Sequence, residues 1–71
     1  MKVIYDTETD TLDLIFRDEA VSESDEMREG IIVDYAKDGK LVSIEVLNAS
    51  EHVHEPETMV YQAKASKTSP L

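Results

Sequence analysis

The feature that most constrains this chain is the run "IIVDYAKDGKLVSIEVL" at residues 31–47, two apolar stretches that meet at an Asp-Gly pair. In the second stretch Val42, Ile44 and Val46 fall on one side of an extended backbone, with Ser43 and Glu45 on the other. Period-two alternation of this kind belongs to a strand, because successive side chains on a pleated backbone point to opposite faces. Asp38-Gly39 supplies the reversal, since glycine tolerates the positive φ that tight hairpin turns require. Strands at 31–36 and 41–48, paired antiparallel, are therefore predicted.

The same letters also spell something close to a helix–loop–helix calcium loop. Counting from Asp34, Asp38 is fifth, Gly39 sixth and Glu45 twelfth. Such a loop needs an oxygen ligand at its third position and helices on both sides. Here the third position is Ala36, and the flanks "GIIV" and "LVSIEVL" are β-branched. Paired strands would hold the chain extended, unable to curl round one cation. The hairpin is the expectation.

A second hairpin precedes it. "KVIYD" is β-rich, "DTETD" is turn-forming, and in "TLDLIFR" Leu12, Leu14 and Phe16 alternate with Asp13, Ile15 and Arg17. Strands are expected at 2–6 and 11–17. The acidic run "DEAVSESDEMRE" at 18–29 has no apolar stripe at either period and reads as a loop, with room for one helical turn after Ser22. Beyond "EHVHEPE", Val60 and Tyr61 make 58–62 a candidate fifth strand. The fold class expected is mainly β: two hairpins in a four- to five-stranded antiparallel sheet, one domain over 1–63, and a flexible tail at 64–71. The predicted core is Leu12, Leu14, Phe16, Ile31, Val33, Val42, Ile44 and Val46, joined by Val3 and Tyr5.

Charge narrows the partners. Sixteen acids against seven Lys and Arg leave a net charge of −9, which opposes binding to phosphate backbones and to anionic membranes. It suits a basic protein partner. The absence of cysteine removes disulfides and thiolate metal sites. The start of the chain turns acidic where a secretory leader would be apolar, and no run is long enough to span a membrane, so the expected location is cytoplasmic.

Candidate chemistry is sparse. His52 and His54, flanked by Glu51 and Glu55, would point the same way on a strand and with a third ligand could hold zinc or nickel. Asp6, Glu8, Asp10 and Asp13 gather near the first turn and could share a proton or a cation. Both groups read more plainly as solvated polar side chains. Gly30 and Gly39 cannot form a phosphate loop, and no serine sits in a nucleophile elbow. The sequence thus predicts no enzyme, no catalytic or metal residue and no cofactor. The acidic segment 18–29 is the better candidate, as a docking surface for a basic partner.

Ile4, Ile15, Ile32, Leu41 and Leu47 fall on the face opposite the predicted core. A sheet apolar on both faces needs cover on both, and a chain of 71 residues has little to spare. Self-association through that second face is expected, with a homodimer as the expected form.

The run "YDTETDTLDLIF", an acidic spacer and "EGIIVDYAKDGKLVSIEVLNAS" together resemble a family of small bacterial and archaeal proteins, domain of unknown function 2283. Tyr5-Asp6, residues 30–35, Asp38-Gly39 and residues 45–50 carry the likeness, which spans 3–50. Where the family often continues with basic residues, this chain has Glu51 and His52. The resemblance implies a compact antiparallel β domain with no assigned activity and no catalytic positions. It also implies an antitoxin-type role, through members thought to lie beside small toxin-like partners.

Overall fold

The computed structural model describes residues 1–65. Five strands form one antiparallel sheet: β1 (Lys2–Asp6), β2 (Thr11–Ile15), β3 (Glu23–Arg28), β4 (Ile31–Tyr35) and β5 (Leu41–Leu47). A 3₁₀ turn, Ala49–Glu51, follows β5. The spatial order is β1-β2-β5-β4-β3, so the last strand is the central one. β1–β2, β3–β4 and β4–β5 are hairpins, and the β2–β5 pairing closes the sheet across a long stretch of sequence.

Turn chemistry explains each reversal. In the first turn the Asp6 carboxylate accepts hydrogen bonds from the backbone N–H of Glu8 at 2.9 Å and of Thr9 at 3.4 Å. In the last turn Ala36 N–H donates to Lys40 O at 2.8 Å, Gly39 N–H donates to Ala36 O at 2.9 Å, and Gly39 has φ 84°. The middle turn has only Glu29 and Gly30 between the paired Arg28 and Ile31, with Gly30 at φ 81°. Its N–H is held by the Glu26 carboxylate at 3.0 Å, and its carbonyl accepts from Leu47 N–H at 2.8 Å.

Register places the predicted core on one face. Val3 lies opposite Leu14 and Tyr5 opposite Leu12, while Leu12 and Ile31 both face Val46 and Leu14 and Val33 both face Ile44. Leu12, Val42 and Val46 are buried, and Ala49 is fully so. Val3, Tyr5, Leu14, Ile44 and Val53 are only half-buried around the Leu12–Val46–Ala49 cluster, and Phe16, Ile31 and Val33 are half-buried too. Cover comes from the 3₁₀ turn and Val53, at the Leu12–Val46 end.

Two expectations change. Residues 23–28 of the acidic run form an edge strand rather than a loop, and 58–62 have no strand structure. All six residues of β3 are exposed, so no apolar face could mark it in the sequence. Its order comes from pairing with β4 through the short Glu29-Gly30 turn. Residues 58–62, by contrast, follow Pro56 and form no ladder, although Met59 and Tyr61 border grooves beside β1. The fifth strand therefore exists, but before the Asp-Gly hairpin instead of after it. The remaining strands match within two residues at their ends, and β2 stops at Ile15 where Phe16 N–H and Arg17 N–H both donate to Val42 O. Of the expected tail at 64–71, residues 66–71 lie outside the described residues, and Lys64 and Ala65 are exposed without secondary structure.

Both glycine turns can be tested by substitution. A Cβ on Gly39 would meet nothing within 4 Å, whereas one on Gly30 would lie 3.4 Å from Leu47 O. Because 3.4 Å is an ordinary van der Waals contact, Gly39→Ala and Gly30→Ala should each cost about 1 kcal/mol through backbone strain at positive φ, as read by urea unfolding. A cost near zero at either position would contradict the left-handed backbone of these turns.

Candidate functional site: two carboxylate clusters and an acidic edge

Two groups of carboxylates are built into the sheet, and they differ in purpose. The first ties the two ends of the β1–β2–β5 unit together. Asp10 sits in the left-handed region at φ 56°, a conformation Asp tolerates better than most residues. Its carboxylate accepts from Tyr5 Oη at 2.6 Å, from Ser50 N–H at 3.0 Å and from Ser50 Oγ at 2.7 Å. Its carbonyl accepts from Ala49 N–H at 2.8 Å. The hydrogen bond from Tyr5, and then that from Ser50, holds the Asp10 carboxyl below its ordinary range. The bond to Asp10 also pushes the Tyr5 hydroxyl up to about 12.

The second cluster lies on the other face, in the middle of the sheet. Ser24, Asp34 and Ser43 stand directly opposite one another on β3, β4 and β5. Asp34 is 3 % exposed. It accepts from Ser24 Oγ at 2.5 Å and from Ser43 Oγ at 2.8 Å. Glu45, two residues along β5, hydrogen-bonds to Asp34, and Asp13 faces Glu45 from β2. Two carboxyls in contact cannot both ionise cheaply, so one keeps a proton. Burial alone would push Asp34 up, but hydrogen bonds from Glu45, Ser24 and Ser43 hold it below its ordinary range. The proton stays on Glu45, raised to about 7 by its bond to Asp34, by burial and by repulsion from Asp34 and Asp13.

Asp34 and Glu45 are the first and twelfth positions of the calcium-loop pattern. They do meet, but as a proton-sharing pair across adjacent strands, with no helix on either side. Both sit on the polar face of strands joined at Asp38-Gly39, so the sequence held a signal for the contact. Asp34 pairs with Ser43, which puts Glu45 one diagonal step away.

The other sequence candidates do not converge. His52 and His54 are exposed in irregular chain just after the 3₁₀ turn, and among the described residues no three His, Asp or Glu form a group able to hold a metal. Of the turn acids, Asp6 is occupied by the turn backbone, Asp10 by Tyr5 and Ser50, and Asp13 lies on the opposite face beside Glu45; Glu8 is exposed. The acidic run 18–29 is exposed throughout, and its β3 portion forms one border of the sheet.

Glu45 makes stability depend on pH in a definite direction. A carboxyl raised to about 7 in the folded chain contributes fully below its unfolded value of 4.5, and that contribution is lost as pH rises through about 7. Given the part-exposed position of Glu45, its size is on the order of 2 kcal/mol. Asp34 acts oppositely, its contribution being lost only on acidification below its ordinary range. Urea unfolding should therefore show wild type losing stability between pH 5 and pH 8, with Glu45→Gln nearly flat there. A variant as pH-dependent as wild type would contradict the shared proton. For the first cluster, Asp10→Ala should return the Tyr5 absorbance titration from about 12 towards 10, the ordinary tyrosine value. A Tyr5 titration still near its wild-type position would remove Asp10 as the cause.

The family model "Protein of unknown function (DUF2283)" matches residues 2–50, well over half of the chain. No curated protein and no solved structure gives a significant match. The matched span runs from the first residue of β1 to Ser50, whose N–H and hydroxyl hold Asp10, so it takes in the whole sheet and both carboxylate clusters. The chain belongs to the DUF2283 family, which is described as being of unknown function.

Proposed function

We propose that this protein is a non-enzymatic binding module that pairs with a second copy of itself and receives a basic protein partner on its acidic surface, as an antitoxin-type protein would. One observation carries the first half: the sheet is a single layer with one apolar face only half covered. Sheets are stable when two layers enclose a core. The accessible surface is 5675 Å². A compact monomer of 8.0 kDa would expose about 4,450 Å². Part of that excess belongs to the exposed chain after Pro56, which includes Met59, Val60 and Tyr61. The sheet surface left for a second copy to cover is the half-buried face of Val3, Leu14, Phe16, Val33 and Ile44, a stable dimer burying ~800 Å² per partner.

The self-association surface is therefore moved from the second face, where Ile4, Ile15, Ile32, Leu41 and Leu47 suggested it, to the first. Asp13, Asp34 and Glu45 occupy the middle of the second face, and burying those carboxyls against a like-charged copy would be costly. On the first face the carboxylates, Glu23 and Asp25, lie only at its β3 border, opposite Tyr35 and Val33, and not in its middle.

The non-enzymatic part of the reading rests on how the carboxyls are used. Asp10 and Asp34 spend their oxygens on Tyr5, Ser50, Ser24 and Ser43, which is holding work within the sheet. For the partner, a net charge of −9 favours a basic protein through electrostatic steering. No helix among the described residues is long and apolar enough to cross a membrane. A chain without cysteine needs no oxidising compartment, and we place its action in the cytoplasm.

Sedimentation equilibrium at micromolar concentration should return twice the 8.0 kDa chain mass. Because dissociation exposes the half-covered face, the unfolding midpoint should also rise with protein concentration. A single species of the chain mass, with a midpoint independent of concentration, would end the self-association reading.

A further inference from the structure

We infer that the outer edge of β3 is a strand-addition site for a basic, extended segment of a partner protein, one with Lys or Arg at alternating positions. The inference rests on the binding-module reading and gives its partner a place and a conformation. β3 is a terminal strand of the sheet, bonded to β4 alone, so half of its backbone N–H and C=O groups face outward without a strand partner among the described residues. Every residue of β3 is exposed, which leaves both of its faces clear beside an incoming strand. The other edge differs. In β1, Val3 and Tyr5 are half-buried and border grooves shared with Pro56, Glu57, Met59 and Tyr61.

Charge selects the occupant. Glu23 and Asp25 share one face of β3, and Glu26 lies on the other; Asp18 and Glu29 flank the strand, with Glu19 ion-paired to Arg17 and Arg28 the one cation within β3. A second copy of β3 would set like charges directly opposite each other, which is destabilising. The register shift between Glu26 and Arg28 further disrupts the regular ladder near the turn. Edge charges and bulges are the usual devices by which a sheet refuses its own kind. The same charges favour an opposite sequence. A strand laid along Glu23–Glu26 with cations two residues apart would place them beside Glu23 and Asp25 while its backbone completed the ladder. Backbone bonds would supply affinity and the side chains selectivity, as in other cases of strand addition.

A capped seven-residue peptide of alternating Lys and Val, titrated into the isotope-labelled full chain, tests this. The expected result is a chemical-shift change centred on residues 23–28, with hydrogen exchange of the outward-facing β3 amides slowed about tenfold or more. Binding should weaken with added salt, and Glu23→Lys with Asp25→Lys should remove it. The same peptide methylated at every backbone nitrogen keeps its charge but cannot extend the ladder, and it should not protect β3. Equal binding by the methylated peptide would overturn the inference, because charge alone would then suffice. So would no binding at millimolar peptide, or shifts centred on β1 or on Leu14 and Ile44. The outcomes separate from those of the parent reading. A monomer that captures the peptide sinks self-association alone, and a dimer that ignores it sinks the edge site alone.

Discussion

Strand β5 is paired along both sides, to β2 and to β4, so its backbone polar groups are committed and its side chains divide the molecule into two faces. On one face Val42, Ile44 and Val46 form the middle of an apolar surface; on the other Ser43 and Glu45 form the middle of a polar one. The rest of the structure follows from that division. Leu12, Leu14, Ile31 and Val33 take the apolar side because register puts them opposite Val46 and Ile44. Asp34 and Asp13 take the polar side for the same reason. A shift of one residue in β5 would bring Glu45 onto the apolar face, a cost that fixes the register.

The two carboxylate clusters hold different seams of this sheet. Asp10 joins the first hairpin turn to the chain just after β5, so it secures the β1–β2 unit to the centre over 40 residues of sequence. Asp34, with Ser24, Ser43 and Glu45, runs across β3, β4 and β5 and secures the edge strand. β3 buries none of its own residues, which gives that polar row a structural task. It also means that the proton on Glu45 bears on how firmly the edge is held, near neutral pH.

Much of this was legible in the sequence. Both predicted hairpins and the ten-residue core face follow from alternation and turn residues, since these express the pleat and the steric freedom of glycine directly. The order of β3 was not legible, because an edge strand exposed on both faces has no reason to alternate. Its one local sign was Glu29-Gly30 ahead of "IIV", a two-residue turn masked by the surrounding acids. Val60 and Tyr61 suggested a strand on propensity, yet propensity alone does not make a ladder, and this segment borders β1 without pairing with it. The Asp34–Glu45 contact was present as a spacing but pointed to the wrong chemistry. Its meaning depended on the hairpin register, which converts eleven residues of separation into adjacency. Half-burial of the core face was not readable from patterning, which reports which side is apolar but not what covers it.

Completion of the apolar face by a second copy is the central claim, and distances between copies test it most directly. A sample mixed from isotope-labelled and unlabelled chains, recorded so that only contacts between copies appear, should show cross-peaks among the methyl groups of Leu14, Val33 and Ile44. Absence of any such contact at a concentration where sedimentation shows one species, or contacts confined to Ile4, Ile15 and Ile32, would contradict the account.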